Sequence, residues 1–238
     1  MKLAQNVALL PISREGMGSL NLVLAWDDKS LVLIDAGLPG QTEDIVKAIE
    51  GEGFQAENLT HIIITHQDWD HIGCVRDLQK IAPNLRVVSH VDEAPYIDGR
   101  TLPIKLATRL TQYDTMTEEQ RAGIDRWKDM YENAPITVHE QMQDGQVLPI
   151  CGGIEIVHVP GHTPGHIGVY YKESQIIVVG DAANIKDGEV VGSNPVHTHN
   201  MKQAEESLGK IKSYDLNGIV AYHTGYLPLQ SKAKPPCV

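Results

Sequence analysis

Apolar residues along this chain gather into short runs broken by polar or glycine-containing turns, a spacing that suits buried strands more than long helices. Residues 20–25 and 31–35 are two such runs, and Asp27-Asp28-Lys29 between them provides the polar turn of a hairpin. Gly37-Leu38-Pro39-Gly40 ends the second run. Thr42 then reads as the N-cap of a helix with Ile45, Val46, Ala48 and Ile49 on one side, stopped by Gly51 and Gly53. Residues 61–65 are β-branched without polar alternation, the pattern of a strand buried on both faces. A dense polar stretch follows, then a helix over 75–81 ended by Pro83 and a strand over 85–89.

Residues 101–135 depart from this rhythm. Thr117-Glu118-Glu119-Gln120 is a capping box and the pattern up to Tyr131 is helical, which predicts a helical insertion covering one end of the domain. The opening theme then returns, with strands at 154–159, 167–171 and 176–179, a helix at 201–212 after Asn200, and a strand at 218–221. Two β-then-α halves predict one α/β (α+β) domain over residues 1–238, with two sheets inside and helices outside.

Composition narrows the function classes. A formal net charge of −11 over 238 residues disfavours nucleic acid and anionic membranes as partners, since both demand clustered Lys and Arg. Cys74, Cys151 and Cys237 are odd in number and form no C-x-x-C pair, so reduced thiols are expected. The N-terminus lacks a secretory signal pattern, and the expected compartment is the cytoplasm. The 11 histidines against a single Phe direct attention to where the histidines sit.

Thr65-His66-Gln67-Asp68-Trp69-Asp70-His71-Ile72-Gly73 places four potential ligands in a loop between an apolar strand and a helix. Two imidazoles and two carboxylates suit Zn²⁺, Mn²⁺ or iron. The bland alternative is a solvated acidic loop with a capping Asp. Pro160-Gly161-His162-Thr163-Pro164-Gly165-His166 follows a second apolar strand, Gly180-Asp181 a third, and Tyr222-His223-Thr224-Gly225 a fourth. Ligands at four strand ends can meet at one edge of the sheets.

The series resembles the metallo-β-lactamase superfamily, and its lactonase and glyoxalase II-like branch in particular. Those hydrolases carry H-x-H-x-D-H, a His in a G-H-T-P-G-H-like turn, an Asp and a late His. The resemblance covers nearly the whole chain and implies a four-layer αββα sandwich of two mixed β-sheets flanked by helices. It implies two divalent metal ions, zinc first and iron or manganese as alternatives. His66, Asp68 and His162 would hold the first ion, Asp70, His71 and His223 the second, and Asp181 would bridge them. One position departs from the pattern: Asp68 stands where the family has its second His. A carboxylate is a harder donor than imidazole, which shifts preference toward iron or manganese, and the flavodiiron branch also has a carboxylate there.

The chemistry implied is attack of a metal-bound hydroxide on an ester-like bond of a small molecule, such as a lactone, a thioester or a related ester, with Asp70 orienting the nucleophile and shuttling a proton. A di-iron redox protein of the same fold, a phosphoester hydrolase and a non-enzymatic binding module are the competing readings. The oligomeric state is open. His166 is expected to support the ligands rather than join them, and His197 and His199 lack a strand to deliver them. His61, His90, His139 and His158 read as core or surface residues. Tyr96, Tyr113, Trp127 and Tyr131 either line a substrate pocket or hold the insertion to the body, Tyr222 is expected to point away from its neighbouring ligand, and Cys74 to pack in the core.

Overall fold

The computed structural model describes residues 1–14, 18–132 and 136–229. The first half lays down β1 (Lys2–Ala4), β2 (Val7–Arg14), β3 (Gly18–Trp26) and β4 (Leu31–Ile34), then α1 (Thr42–Gly51) and β5 (His61–Ile63). A short α2 (Trp69–Ile72) and α3 (Val75–Ile81) lead to β6 (Arg86–His90), α4 (Ala94–Ile97), α5 (Ile104–Leu110), α6 (Glu118–Glu132) and β7 (Glu140–Met142). These strands form one sheet in chain order, antiparallel as far as β4 and parallel from β4 to β7.

The second half supplies β8 (Val147–Leu148), β9 (Ile154–His158), β10 (Ile167–Tyr171), β11 (Ile176–Val178), β12 (Ala183–Lys186), β13 (Glu189–Gly192), α7 (Met201–Ser213), β14 (Gly218–Ala221) and β15 (Gly225–Pro228). The second sheet has the order β15-β14-β11-β10-β9-β8 and is mixed, because β11 and β14 run parallel. β12 and β13 form a separate hairpin.

The period-2 alternation of the strands sorts side chains into layers. In β4, Val32 and Ile34 face the second sheet and meet Ile156, Val169 and Val178 in the central core. Leu31 and Leu33 face the other way, where Ile45 and Ile49 of α1 and Val75 and Leu78 of α3 cover them. The outer face of the second sheet packs Val157, Ile177 and Ile219 against Ile211 of α7. The result is the four-layer αββα sandwich of two mixed sheets flanked by helices that the resemblance implied. Ile124 and Tyr131 of α6 and Leu106 of α5 extend the helical layer.

The expected strands and helices recur close to their expected bounds, and Asn200 caps α7 by accepting from Gln203 N at 3.2 Å. The capping box forms as well: Thr117 N donates to Gln120 Oε1 at 3.0 Å and Gln120 N to Thr117 Oγ1 at 3.3 Å. Thr42 does not cap α1. Gln41 holds the N-cap position, and the Thr42 hydroxyl points to Asp77. Cys74 and Cys151 are buried free thiols; Cys237 and the last residues of the 101–135 segment, 133–135, lie outside the described residues. No helix among the described residues is long and apolar enough to cross a membrane.

Candidate metal centre

Strand ends of both sheets deliver the polar loops to one edge of the sandwich. β5 runs through Ile64 and Thr65 into His66, and α2 presents Asp70 and His71 one turn later. β9 leads to His162, β11 to Asp181 and β14 to His223. At the turn before His162, Gly161 has φ +139°, and a Cβ there would lie 2.4 Å from Ala204 N in α7. Only glycine lets this loop lean on the helix. Gly161→Ala is expected to cost about 3 kcal/mol of stability by pushing the His162 loop off α7, read from a denaturant midpoint.

The ligand atoms of His66, Asp68, His162 and Asp181 lie within 4.8 Å of one another, as do those of Asp70, His71 and His223. Asp68 Oδ2 is 3.1 Å from His66 Nε2 and 3.0 Å from His162 Nε2. Asp181 faces both groups: its Oδ1 is 3.5 Å from His71 Nε2, and its Oδ2 is 3.5 Å from His162 Nε2 and 3.3 Å from His223 Nε2. Asp70 Oδ2 stands 3.4 Å from His223 Nε2. The loop is not a solvated, capping one. Asp68 occupies the N-cap position of α2 but its buried carboxylate makes no cap hydrogen bond.

This donor set fits a divalent cation. His71 Nε2 and Asp181 Oδ1 are buried without a hydrogen-bond partner and lie 3.5 Å apart; His66 Nε2 is likewise buried but stands 3.1 Å from Asp68 Oδ2. Buried polar atoms ordinarily find partners, so a converging set of unsatisfied lone pairs marks where a cation would satisfy them. The local field has the matching sign. Although burial acts to lower it, Asp35, Asp70 and Asp181 hold the His71 imidazole well above its ordinary pKa. Burial likewise works to raise the Asp181 carboxyl, yet His71, His223 and His162 keep it well below the usual carboxylate range. The His66 ring, shut away from water and beside His71, is pushed down to about 4, which keeps it neutral as a metal donor must be.

A surrounding shell fixes these rings. Asp35, at the end of β4 with φ 62°, accepts from Thr65 N at 2.8 Å and from His71 Nδ1 at 2.8 Å. That bond selects the His71 tautomer whose Nε2 lone pair faces the cluster. His162 Nδ1 lies 3.1 Å from Ser193 Oγ, with the same effect. His166 stacks on His66 with centroids 4.6 Å apart, and its Nε2 accepts from Asp181 N at 3.1 Å. It supports the ligands without joining either group. Tyr222 corrects an expectation: its ring lies 3.8 Å from that of His71, and its hydroxyl donates to the Asp70 carbonyl at 2.6 Å. Past the end of β14 the chain turns, with Thr224 N donating to the Ala221 carbonyl at 3.3 Å. Asn21 of β3 secures this bend by donating both N and Nδ2 to the Tyr222 carbonyl, each at 2.8 Å.

Glu93 has no signal in the sequence, yet its fully buried carboxylate ties two loops together. It accepts from Gln67 N at 2.8 Å and Gln67 Nε2 at 2.9 Å on one side, and from Gly165 N at 2.9 Å on the other. Asp35 did have a signal, since it ends an apolar run before glycine much as Asp181 follows one. Lys105 of α5 was also missed: its ammonium pairs with Asp68 Oδ2 and sits 3.1 Å from His162 Nε2.

The cluster forms the floor of two adjoining cavities of about 510 and 430 Å³. Trp69 and Trp127, with centroids 6.2 Å apart, wall both, and Ile104 and Val196 line the larger. Of the aromatic residues in the 101–135 segment, Trp127 thus lines the cleft, whereas Tyr131 anchors α6 by donating to the Gln67 carbonyl at 2.6 Å and Tyr113 bonds Asp125 within the same segment. His197 and His199 line the cavity wall and join neither donor group. His90, Asp92 and His158 form a further cluster elsewhere, but the two rings stack at 4.0 Å and 9°, and parallel faces cannot both aim a nitrogen at one ion.

A two-sheet αββα sandwich with His and Asp donors converging at one edge defines a metal-dependent hydrolase. The chain belongs to the metallo-beta-lactamase superfamily, whose family model matches residues 16–223. It is similar to the probable metallo-hydrolase YflN of Bacillus subtilis, with 28% identity over 84% of this chain and 77% of that protein. It is also 26% identical to the hydroxyacylglutathione hydrolase GloC of Haemophilus influenzae over 74% of this chain and 71% of the other. Among solved structures, a metallo-beta-lactamase family protein of Thermus thermophilus, TTHA1429, superposes with a TM-score of 0.74 at 21% identity, covering 95% of this chain and 76% of that one.

Proposed function

We propose that this hydrolase cleaves the ester-like bond of a small molecule, a thioester or a lactone, at a centre built from His66, Asp68, Asp70, His71, His162, Asp181 and His223. The observation that carries the reading is the placement of these donors on the floor of a cleft walled by Trp69 and Trp127. Two indole faces suit an acyl chain or ring laid flat over the floor, and a volume of about 510 Å³ suits a small substrate rather than a polymer. The similarity to a hydroxyacylglutathione hydrolase supports the thioester arm.

A divalent ion, zinc, manganese or iron, supplies Lewis acidity toward the carbonyl oxygen and lowers the pKa of water when bound. The chain's own groups do the rest. The Trp walls orient the acyl group and exclude bulk water. Asp70, on the cleft side of the cluster, accepts the proton from the attacking water and returns it to the leaving sulfur or oxygen. The test is kcat/KM on a panel of acyl thioesters, lactones and phosphodiesters, measured before chelation, after it, and after ion is restored. Turnover of thioester or lactone that follows the metal supports the reading; exclusive turnover of phosphodiesters would sink it.

A further inference from the structure

One cation at the donor cluster belongs to the chain itself. α5 carries Lys105 over the cleft floor, where its ammonium pairs with Asp68 Oδ2 and lies 3.1 Å from His162 Nε2. Asp68 Oδ2 is also 3.0 Å from His162 Nε2 and 3.1 Å from His66 Nε2, so three nitrogens surround one carboxylate oxygen. An ion seated on these donors would need contacts of roughly 2.0–2.2 Å, which brings it against the ammonium. Like charges at that separation repel, even with the Lys105 side chain partly open to water. Among the described residues the second group carries no such occupant, since the ion pairs of Asp70 and Asp181 are with histidines.

Lys105 pairs with Asp68, which leaves Asp70 and Asp181 as the carboxylates facing the second group, with Asp35 behind His71. We propose that the enzyme works with one divalent ion, held by Asp70, His71, Asp181 and His223, and that the Lys105 ammonium replaces the other ion by binding Asp68 and His162. The inference rests on the metal-centre reading above, and it accounts for the departure at position 68. An imidazole there would leave the ammonium without a counter-charge, whereas a carboxylate makes the two residues a matched pair. Lys105 remains part of the cleft wall, so its positive charge stays beside the bond to be cleaved.

Metal content separates this from a two-ion centre without recourse to turnover. The full chain and Lys105→Met would be equilibrated with excess Mn²⁺, passed through a desalting column, and read by elemental analysis and electron paramagnetic resonance. The wild type is expected to retain about one equivalent with the hyperfine pattern of isolated ions, and Lys105→Met about two equivalents with a spin-coupled spectrum. Two equivalents and a coupled spectrum in the wild type would overturn the proposal. So would one equivalent in a folded Lys105→Met, because the lysine would then exclude nothing. Should that variant not fold, the wild-type stoichiometry and spectrum decide alone. No retained ion in either protein would overturn the metal-centre reading along with this one.

Discussion

Asp181→Ala is expected to strip the protein of tightly held metal and to lower kcat/KM by roughly a thousandfold or more, the equivalent of about 4 kcal/mol of transition-state stabilisation. Asp181 faces donors of both groups, with Oδ1 toward His71 and Oδ2 toward His162 and His223. Its removal takes away the carboxylate that faces all three imidazoles, leaving Asp68 beside His162 and Asp70 beside His71 and His223. A divalent ion at the Asp70 group would then keep one carboxylate in place of two. Elemental analysis after a desalting column, beside a circular dichroism melt to establish folding, measures the effect. A folded variant that retains its ion and most of its activity would show that Asp181 is not a ligand.

Glu93→Ala is expected to cost about 3–5 kcal/mol of unfolding free energy, with a lowered urea midpoint as the readout. The carboxylate is fully buried and accepts three N–H bonds from two separate loops. Truncation leaves those donors without partners and opens a polar cavity between them. Glu93→Gln keeps one acceptor oxygen and should lose less. Burial pushes the Glu93 carboxyl up to about 7, against the lowering effect of the Gln67 hydrogen bonds. The folded state therefore binds this proton more tightly than the unfolded chain, and the stability contributed by Glu93 declines as pH rises from 4.5 through 7. The Gln variant lacks that slope. A loss below about 1 kcal/mol for the Ala variant would show that water satisfies the abandoned donors.

Much of the fold was legible because its strands are continuous apolar runs punctuated by Gly and Pro. β10 (Ile167–Tyr171), α3 (Val75–Ile81) and β14 (Gly218–Ala221) fall at their expected residues. β2 is hard to read because Pro11 weakens its strand signal; the proline is tolerated where β1, which pairs only with Val7 and Ala8, leaves the edge open. The β12–β13 hairpin turns at Asp187 and Gly188, both with positive φ, a signal present in the sequence but flanked by half-exposed residues without clear alternation. At the centre, the seven named residues come together at one edge because each ends or follows an apolar strand. The residues that were missed act across long sequence separations. Glu93 meets Gln67 and Gly165, and Lys105 meets Asp68 and His162, partnerships that only the folded sandwich creates.

Gln67 has a consequence for how such an enzyme can change over evolution. Its carbonyl accepts from Tyr131 of α6, its side-chain oxygen accepts from Ile104 N at the start of α5, and its own amides are held by Glu93. The segment that shapes the cleft wall is therefore bolted to the residue between His66 and Asp68. Specificity and reactivity are inherited as one unit here. A chimera that grafts another relative's helices onto this scaffold would carry over a new pocket only together with shifted His66 and Asp68 side chains, and compensating changes at positions 67 and 93 would have to accompany it.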